Sequence, residues 1–246
     1  MYSDIGIILI VLNQPVTCNA SLYERERHLL TTLMRKAKLT VCADGGANYV
    51  FELLDDDRNK YIPDVICGDL DSVNSNAQNY YKDKGTIIVH KSDEDENDFL
   101  KCLRLVLQTE PYRNVQCDYI IALGAVHDRF DQSMASIHAL YVAAKISRIQ
   151  IILLSVKSYI CLLTPGQHKV LVNTEMEGNW CSLLPIGNKC NNLRTTGLKW
   201  NLPVEGIEFA FGSLISTSNA FDGSNEVTIT TDDNVIWSME INYTLN

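Results

Sequence analysis

The chain has 246 residues, of which 46% are hydrophobic and 21% are charged, so it is long enough to bury a substantial core and falls within the ordinary globular range. Its formal net charge of −9 argues against a protein that grips nucleic-acid phosphates through a basic face. An acidic protein can still bind small phosphate ligands, because carboxylates reach phosphate oxygens through Mg²⁺. No apolar run approaches the roughly 18 residues of a membrane-spanning helix, so a membrane is not an expected partner. The acidic charge balance likewise makes nucleic acid an unexpected partner.

The eight cysteines contain no C-x-x-C pair. Several stand inside apolar runs, such as Cys42 in LTVCADGG and Cys67 in DVICGDL. They are expected to be reduced, buried thiols, which is typical of a cytoplasmic protein.

Short runs rich in Val and Ile alternate with amphipathic segments through the first part of the chain. The first run, 5–12, has no basic segment before it and predicts a buried strand. The runs lack polar alternation, which is typical of strands buried on both faces of a parallel sheet. The predicted strands are 5–12, 39–43, 64–67, 86–90, 118–123 and 149–156.

Apolar residues at helical spacing separate these strands. Clear stripes predict helices at 30–37, 99–107 and 130–144, and weaker stripes at 45–54 and 74–83. Alternating strands and helices predict an α/β domain with a doubly wound, mostly parallel sheet. Ligands of such sheets bind beyond the carboxyl ends of the strands.

The pattern changes near Ser158. After TPGQH the chain shows only short strands with turn signals, among them HKVLVN, WCSLLPI, GIEFAF and EVTITTDD. No helix-period segment remains, which indicates an all-β sandwich or barrel. The predicted domains are 1–160 and 161–246.

Acidic residues follow successive predicted strands. Asp44 comes directly after 39–43, Asp69 and Asp71 follow 64–67, and Asp98 lies in SDEDEND after 86–90. Because the carboxyl ends of parallel strands share one edge of a sheet, these carboxylates are expected to converge there. Their repulsion calls for a cation, and oxygen ligands suit Mg²⁺.

Each acidic group also has a simpler interpretation. Asp95 with Asp98, and Asp128 with Asp131, can be pairs that start helices. The Asp44-Gly45-Gly46 segment can be a plain strand-to-helix turn, although its glycines also allow close approach to a ligand. An acidic group after four successive strands favours the shared cation site.

Arg129 is the basic residue of HDRFDQ. At the end of a strand it can pair with phosphate oxygens, or it can form a surface salt bridge with Asp128 or Asp131. His127 beside it is interpreted as a polar loop residue rather than a catalyst.

The β half contains one candidate recognition surface. Trp200, between Lys199 and Asn201, offers an indole face that can stack on a cationic or aromatic ring, or it can be a core residue. The segment SLISTSNAF adds hydrogen-bonding side chains, some of which can serve only a turn: Ser216, Ser218 and Asn219.

Several known phosphotransfer signatures are missing. The chain has no G-x-x-x-x-G-K-[ST] and no H-R-D or D-F-G set, which excludes P-loop and protein kinases. GDLDS has the D-x-D spacing of haloacid-dehalogenase-like phosphatases, whose first aspartate is a nucleophile, but their later lysine and acidic motifs have no convincing match. Such a phosphatase remains an alternative.

The ordered set ADGGAN, GDLDS, DEND, DRFDQ, TTGLKWNL and STSN resembles the thiamine pyrophosphokinase family over almost the whole chain. That resemblance implies transfer of the pyrophosphoryl group of ATP, a co-substrate, to the hydroxyl of thiamine, giving thiamine diphosphate and AMP with Mg²⁺. It also implies a homodimer whose active site combines both subunits, with Trp200 of one chain covering thiamine on the other.

The resemblance assigns roles to particular residues. Metal ligation falls to Asp69, Asp71 and Asp98, and catalysis to Asp71, Asp98, Arg129 and Asp131. The residues expected to bind ATP and its phosphates are Asp44, Gly45, Gly46, Asp69, Arg129 and Gln132. The residues expected to bind thiamine are Trp200, Ser216, Ser218 and Asn219. Either Asp71 or Asp98 would accept the proton of the thiamine hydroxyl.

The chain departs from the family pattern in its acidic loop. The usual D-Q-x-x-T-D becomes a segment with Glu94 in place of an amide and Asn97 in place of a hydroxyl, and Asp128 replaces the glycine before Arg129. Glu94 and Asp128 add negative charge near the expected phosphate site. A non-catalytic thiamine or nucleotide sensor is therefore a second alternative.

Overall fold

The computed structural model describes residues 5–93, 95–204 and 206–243. Within them, the chain up to Ser155 forms one compact unit and the chain from Val156 forms a second. The predicted boundary at 160/161 falls inside the strand Ser158–Leu163, which belongs to the second unit. The functional division of the chain at that boundary stays a prediction.

The first unit is built on a parallel sheet. All five strand pairings are parallel, in the order β6-β5-β1-β2-β3-β4. Every residue of β1 is buried, as the continuous apolar run predicted. The doubly wound parallel sheet is confirmed. The strands are β1 Ile7–Val11, β2 Ala37–Ala43, β3 Val65–Gly68, β4 Ile87–His90, β5 Tyr119–Leu123 and β6 Gln150–Leu154.

Helices connect these strands, and one begins far earlier than predicted. The first helix starts at Ala20, not near residue 30, because its first turns are polar and carry no apolar stripe. Asn19 caps this helix by accepting a hydrogen bond from the Leu22 N–H at 3.0 Å. The helices are α1 Ala20–Lys36, α2 Gly46–Leu54, α3 Ser75–Asp83, α4 Asp98–Gln108 and α5 Phe130–Ala143, with 3₁₀ turns at Asp55–Lys60 and Tyr112–Asn114.

The second unit consists of two antiparallel sheets, and no helix occurs in its described part, 156–204 and 206–243. One sheet has the order β11-β9-β13-β7 and the other β10-β12-β8. Trp237 is fully buried in its core. The all-β character of this half is confirmed. The strands are β7 Ser158–Leu163, β8 Gly166–Leu171, β9 Glu177–Leu184, β10 Arg194–Thr196, β11 Ser216–Asn219, β12 Glu226–Thr231 and β13 Val235–Ile241.

The sequence indicated free, buried cysteines, which is confirmed except that Cys18 is exposed and Cys117 is half-buried. All eight are free, and six are buried: Cys42, Cys67, Cys102, Cys161, Cys181 and Cys190. Among the described residues, every helix is too short or too polar to span a bilayer.

Candidate active site

The carboxyl edge of the parallel sheet carries a cleft where the strand order reverses. Strands β1 and β5 are neighbours, and the chain continues outward from them in opposite directions across the sheet. Such a switch point is where ligands of open α/β sheets bind. A cavity of about 120 Å³ lies there, lined among others by Asn13, Asp98, Gly124 and Gln132. We call it the switch-point cleft.

Asp44, at the end of β2, is held in one position. It is 1% exposed and has φ of +42°. Its carboxylate accepts hydrogen bonds from the backbone N–H groups of Ser72 and Val73, both at 3.0 Å. These bonds tie the end of β2 to the loop after β3. Burial raises the pKa of Asp44, although the two backbone hydrogen bonds oppose this effect.

Asp44, Asp69 and Asp98 form the carboxylate cluster, with one oxygen of each lying within 4.8 Å of the others. Asp69 follows β3 and Asp98 begins α4, so three separate elements supply the three groups. Converging carboxylate oxygens are the donors that Mg²⁺ prefers. The cluster therefore fits a divalent magnesium ion.

Lys101 lies against this cluster. Its ammonium is 2.8 Å from Asp69 Oδ2 and 3.0 Å from Asp98 Oδ1, and its side chain is only 3% exposed. The hydrogen bond from Lys101 holds the pKa of Asp69 below its usual range. Burial raises the pKa of Asp98, with Lys101 opposing and the Asp69 charge adding to the shift.

Gly68 makes the convergence sterically possible. A Cβ atom built on it would lie 2.8 Å from Asp44 Cβ and 3.0 Å from Asp98 Oδ1. Any larger residue would push the two carboxylates apart.

The glycines after Asp44 also have a packing reason. A Cβ on Gly46 would lie 2.2 Å from the Val11 carbonyl oxygen, and one on Gly45 would lie 2.5 Å from the Asn13 amide. Gly46 therefore allows α2 to begin against the end of β1, and a side chain at position 45 would displace that of Asn13. Their contact with ATP stays a prediction.

Asp71 lies beside the cluster but is not one of its members. It is exposed, and its Oδ1 accepts a hydrogen bond from Ser72 Oγ at 2.8 Å. Its own N–H donates to Asp69 Oδ1 at 3.3 Å. The structure thus brings Asp44, rather than Asp71, together with Asp69 and Asp98.

The two proposed helix-start pairs are wrong. Asn97 caps α4 by accepting from the Leu100 N–H at 2.9 Å, so Asp95 and Asp98 do not share that role. At α5 the cap position is Arg129, with no side chain capping the helix. Asp128 and Asp131 are therefore not a capping pair either.

Arg129 pairs with Asp131 on the surface, one of the two interpretations open from the sequence. Its Nε lies 2.9 Å from Asp131 Oδ1, and both side chains are more than half exposed. Arg129 lowers the pKa of Asp131 to about 2. Gln132 and His127 line the switch-point cleft beside this pair, so the DRFDQ segment borders the cleft.

The candidate thiamine residues of the second unit lie together around β11. Trp200 is 55% exposed, and the Lys199 ammonium lies 4.7 Å from its ring centroid. Asn219 donates to the Trp200 carbonyl at 2.9 Å and to Ser216 Oγ at 3.0 Å. A cavity of about 180 Å³ is lined by Trp200, Ser216 and Asn219, while Ser218 is exposed beside it with φ of +54°.

The altered acidic loop is only partly described, because Glu94 lies outside the described residues. Asn97 preserves the helix start in place of the family's hydroxyl residue. Glu96, in the same loop, forms an ion pair with Arg104 at 2.6 Å.

Three site residues have no role predicted from the sequence: Asn13, Gly68 and Lys101. Of these three, Lys101 could have been found from the sequence, because it is a lysine three residues after Asp98 inside the otherwise apolar stripe FLKCL. A charged residue on a buried helix face needs a partner.

A carboxylate cluster at the carboxyl edge of a parallel sheet, next to a switch-point cleft, is the arrangement that a metal-assisted phosphoryl-transfer protein requires. Residues 30–153 match the model for the catalytic domain of thiamin pyrophosphokinase, and residues 167–236 match its vitamin B1 binding domain. The chain belongs to the thiamin pyrophosphokinase family.

Individual relatives agree with this assignment. Thiamine pyrophosphokinase 1 of Oryza sativa is 40% identical over 220 residues, covering 85% of this chain and 81% of the relative. Thiamine pyrophosphokinase 1 of Arabidopsis thaliana is 34% identical over 223 residues, covering 86% and 81%. The yeast thiamin pyrophosphokinase crystal structure matches with a TM-score of 0.76 at 26% identity, over 96% of this chain and 86% of that one. Thiamin pyrophosphokinase from Candida albicans has the same fold, with a TM-score of 0.80 at 24% identity over 96% and 90%.

Proposed function

We propose that this protein is an active thiamine pyrophosphokinase, which transfers the pyrophosphoryl group of ATP to the hydroxyl of thiamine and releases AMP. The observation that carries the proposal is the carboxylate cluster beside the switch-point cleft, in a chain of this family. The reaction asks little covalent chemistry of the protein. Positioning and charge neutralisation supply most of the acceleration.

The carboxylate cluster would hold Mg²⁺ through Asp44, Asp69 and Asp98. When bound, Mg²⁺ neutralises phosphate charge and makes the phosphorus more electrophilic. The switch-point cleft would receive the nucleotide, with Gln132 at its wall, and the backbone at Gly45 and Gly46 would contact the phosphates. The three carboxylates would orient the phosphates, because they determine where the cation that neutralises the phosphate charge is held.

Asp71 is the better candidate for the general base. Asp98 is engaged by Lys101 within the cluster, and a carboxylate that ligates metal is a poor base. Asp71 lies next to the cluster with an exposed carboxylate, so it can accept the proton of the thiamine hydroxyl. Attack on the β-phosphorus then proceeds in line, with AMP as the leaving group.

Arg129 would stabilise the negative charge that develops on the transferred group. Its guanidinium is held by Asp131 in the segment that borders the cleft. Because the pKa of Asp131 is about 2, this residue stays ionised and orients Arg129 instead of exchanging protons.

Thiamine would stack on Trp200, whose exposed indole suits a cationic thiazolium ring. We further infer a homodimer in which Trp200 of one subunit covers thiamine bound at the α/β unit of its partner. Ser216 and Asn219 hold the Trp200 segment in place, and Ser218 is available to the ligand. The free, largely buried thiols support a cytoplasmic location.

One assay separates this function from its alternatives. Purified protein supplied with ATP, Mg²⁺ and thiamine should form AMP and thiamine diphosphate in equal amounts. Formation of ADP instead would contradict pyrophosphoryl transfer. Tight thiamine binding with no nucleotide product would favour the sensor, and phosphate release without thiamine would favour a phosphatase.

A further inference from the structure

We propose that Lys101 is a positioning residue that acts as a built-in counter-cation of the carboxylate cluster, fixing Asp69 and Asp98 and weakening the affinity of the cluster for a free divalent ion. The inference deepens the proposed function and rests on its metal site. It concerns a residue that the motif set left without a role.

The contacts of Lys101 link two elements. It lies one helical turn after Asp98 on α4, and its ammonium also reaches Asp69 in the loop after β3. Its side chain is 3% exposed, so the ammonium has given up most of its hydration. Such burial is costly unless the charge is paired and hydrogen-bonded. The two carboxylates supply that pairing and are oriented in return.

The Lys101 ammonium lies within hydrogen-bond distance of both the Asp69 and the Asp98 carboxylate, so it is placed as the positive counter-charge of the two groups. With three ionised carboxylates and one ammonium, the site carries −3 + 1 = −2. A divalent cation neutralises that charge, whereas the three carboxylates alone would retain −1 and attract a cation more strongly.

Replacing Lys101 by a neutral residue should raise the affinity for a divalent cation and lower the turnover rate. In Lys101→Met the cluster loses the ammonium that competes for Asp69 and Asp98, so a free divalent cation binds more tightly. The same change leaves both carboxylates without a fixed direction, so turnover falls. A residue that merely supports packing would, when replaced, leave metal affinity unchanged or weaken it.

The test uses Mn²⁺ alone, titrated into the full-length protein without nucleotide or thiamine and followed by electron paramagnetic resonance of the free ion. Compared with the unaltered protein, Lys101→Met should bind Mn²⁺ roughly tenfold tighter or more, with a larger metal-induced rise in Tm. The control Lys145→Met removes an exposed lysine after α5 and should leave the Mn²⁺ Kd unchanged. An unchanged or weaker Kd in folded Lys101→Met overturns the proposal.

Lys101→Arg keeps the test decisive if Lys101→Met fails to fold. The charge is retained, so the Mn²⁺ Kd should stay within about threefold of the unaltered protein, while turnover drops because the planar fork aligns the carboxylates differently. Tighter Mn²⁺ binding by Lys101→Arg overturns the proposal as well. Because no turnover is needed for the metal titration, its result is separate from whether AMP is formed.

Discussion

A Cβ atom on Gly68 would lie 3.0 Å from the Oδ1 atom of Asp98, which is tighter than nine in ten real Cβ contacts. Gly68 is the last residue of β3, and its missing side chain is the space that Asp98 occupies. The same absent atom would lie 2.8 Å from Asp44 Cβ. The carboxylate cluster thus depends on a residue with no functional group of its own.

Gly68→Ala should weaken metal binding while leaving the fold recognisable. The added methyl group displaces Asp44 and Asp98 from each other, and overpacking of this kind costs about 1–3 kcal/mol. We expect Tm to fall by several degrees and the Mg²⁺ concentration for half-maximal AMP formation to rise about tenfold. Gly6→Ala is the control, since the two atoms nearest to its added methyl group belong to the flexible end of Lys38. An unaltered Mg²⁺ requirement would show that Gly68 does not set the cluster geometry.

Much of this site was predictable because strand ends are visible in the sequence. The runs before Asp44 and GDLDS are mostly apolar, so their last residues indicate where the acidic residues follow the strands and on which edge of the sheet. Helix α4 was predicted because Phe99, Cys102 and Val106 repeat at helical spacing. These signals are local in sequence. Parallel pairing of the strands then brings the residues at the strand ends close together in space.

The parts that sequence could not supply depend on contacts between distant segments. That Lys101 bridges Asp69 and Asp98 follows from how α4 packs against β3, which no spacing records. The predicted α1 was too short because the segment from Ala20 to Arg27 has little apolar periodicity and its start depends on the Asn19 cap. Asp71 was grouped with the cluster because it is two residues from Asp69, although only the loop conformation decides where it points.

Asp44→Asn and Asp71→Asn should differ in stability. The Asp44 carboxylate accepts two backbone hydrogen bonds in a buried place, and an amide can accept only one of them well. We expect a loss of about 1–3 kcal/mol in unfolding free energy, together with loss of activity. Chemical denaturation measures the first and AMP release the second. Equal stability of the two variants would contradict the structural role given to Asp44.

Asp71→Asn should leave unfolding unchanged within error, because the side chain is exposed. If Asp71 is the base, kcat should fall by about 10²–10⁴-fold, and the Km for thiamine should change little. Full activity in Asp71→Asn would transfer the proton-accepting role to another group.

Arg129→Ala should reduce kcat by about 10²–10³-fold without loss of stability, since an exposed ion pair contributes little to folding. Asp131→Asn removes the partner but not the guanidinium, so its kcat should fall less. Arg113→Ala, at an exposed arginine paired with Glu110, is the matched control. A larger defect in Asp131→Asn than in Arg129→Ala would reverse the roles of the two residues.

The stabilising effect of Mg²⁺ should grow with pH. Asp44 and Asp98 have folded pKa values raised above their unfolded ones, chiefly by burial. Their contribution to the stability of the metal-free protein is therefore fully present below the unfolded pKa of about 4 and is lost as pH rises through the folded pKa. Metal needs the ionised carboxylates, so it restores stability over the same window. Tm measured with and without Mg²⁺ from about pH 4.5 to about pH 8 should show a widening difference. A constant difference would exclude these two groups as ligands.

Trp200→Ala should raise the Km for thiamine and leave kcat nearly unchanged, because stacking acts on binding rather than on the phosphorus. A cation–π contact contributes about 0.5–2 kcal/mol, which corresponds to a rise of about 2- to 30-fold. Trp200→Phe keeps an aromatic face and should recover part of the affinity. Thiamine should quench the fluorescence of the unaltered protein but not of Trp200→Phe, which retains Trp180 and the buried Trp237. Equal quenching in both proteins would show that thiamine contacts another indole, and an unchanged Km would remove Trp200 from the binding site.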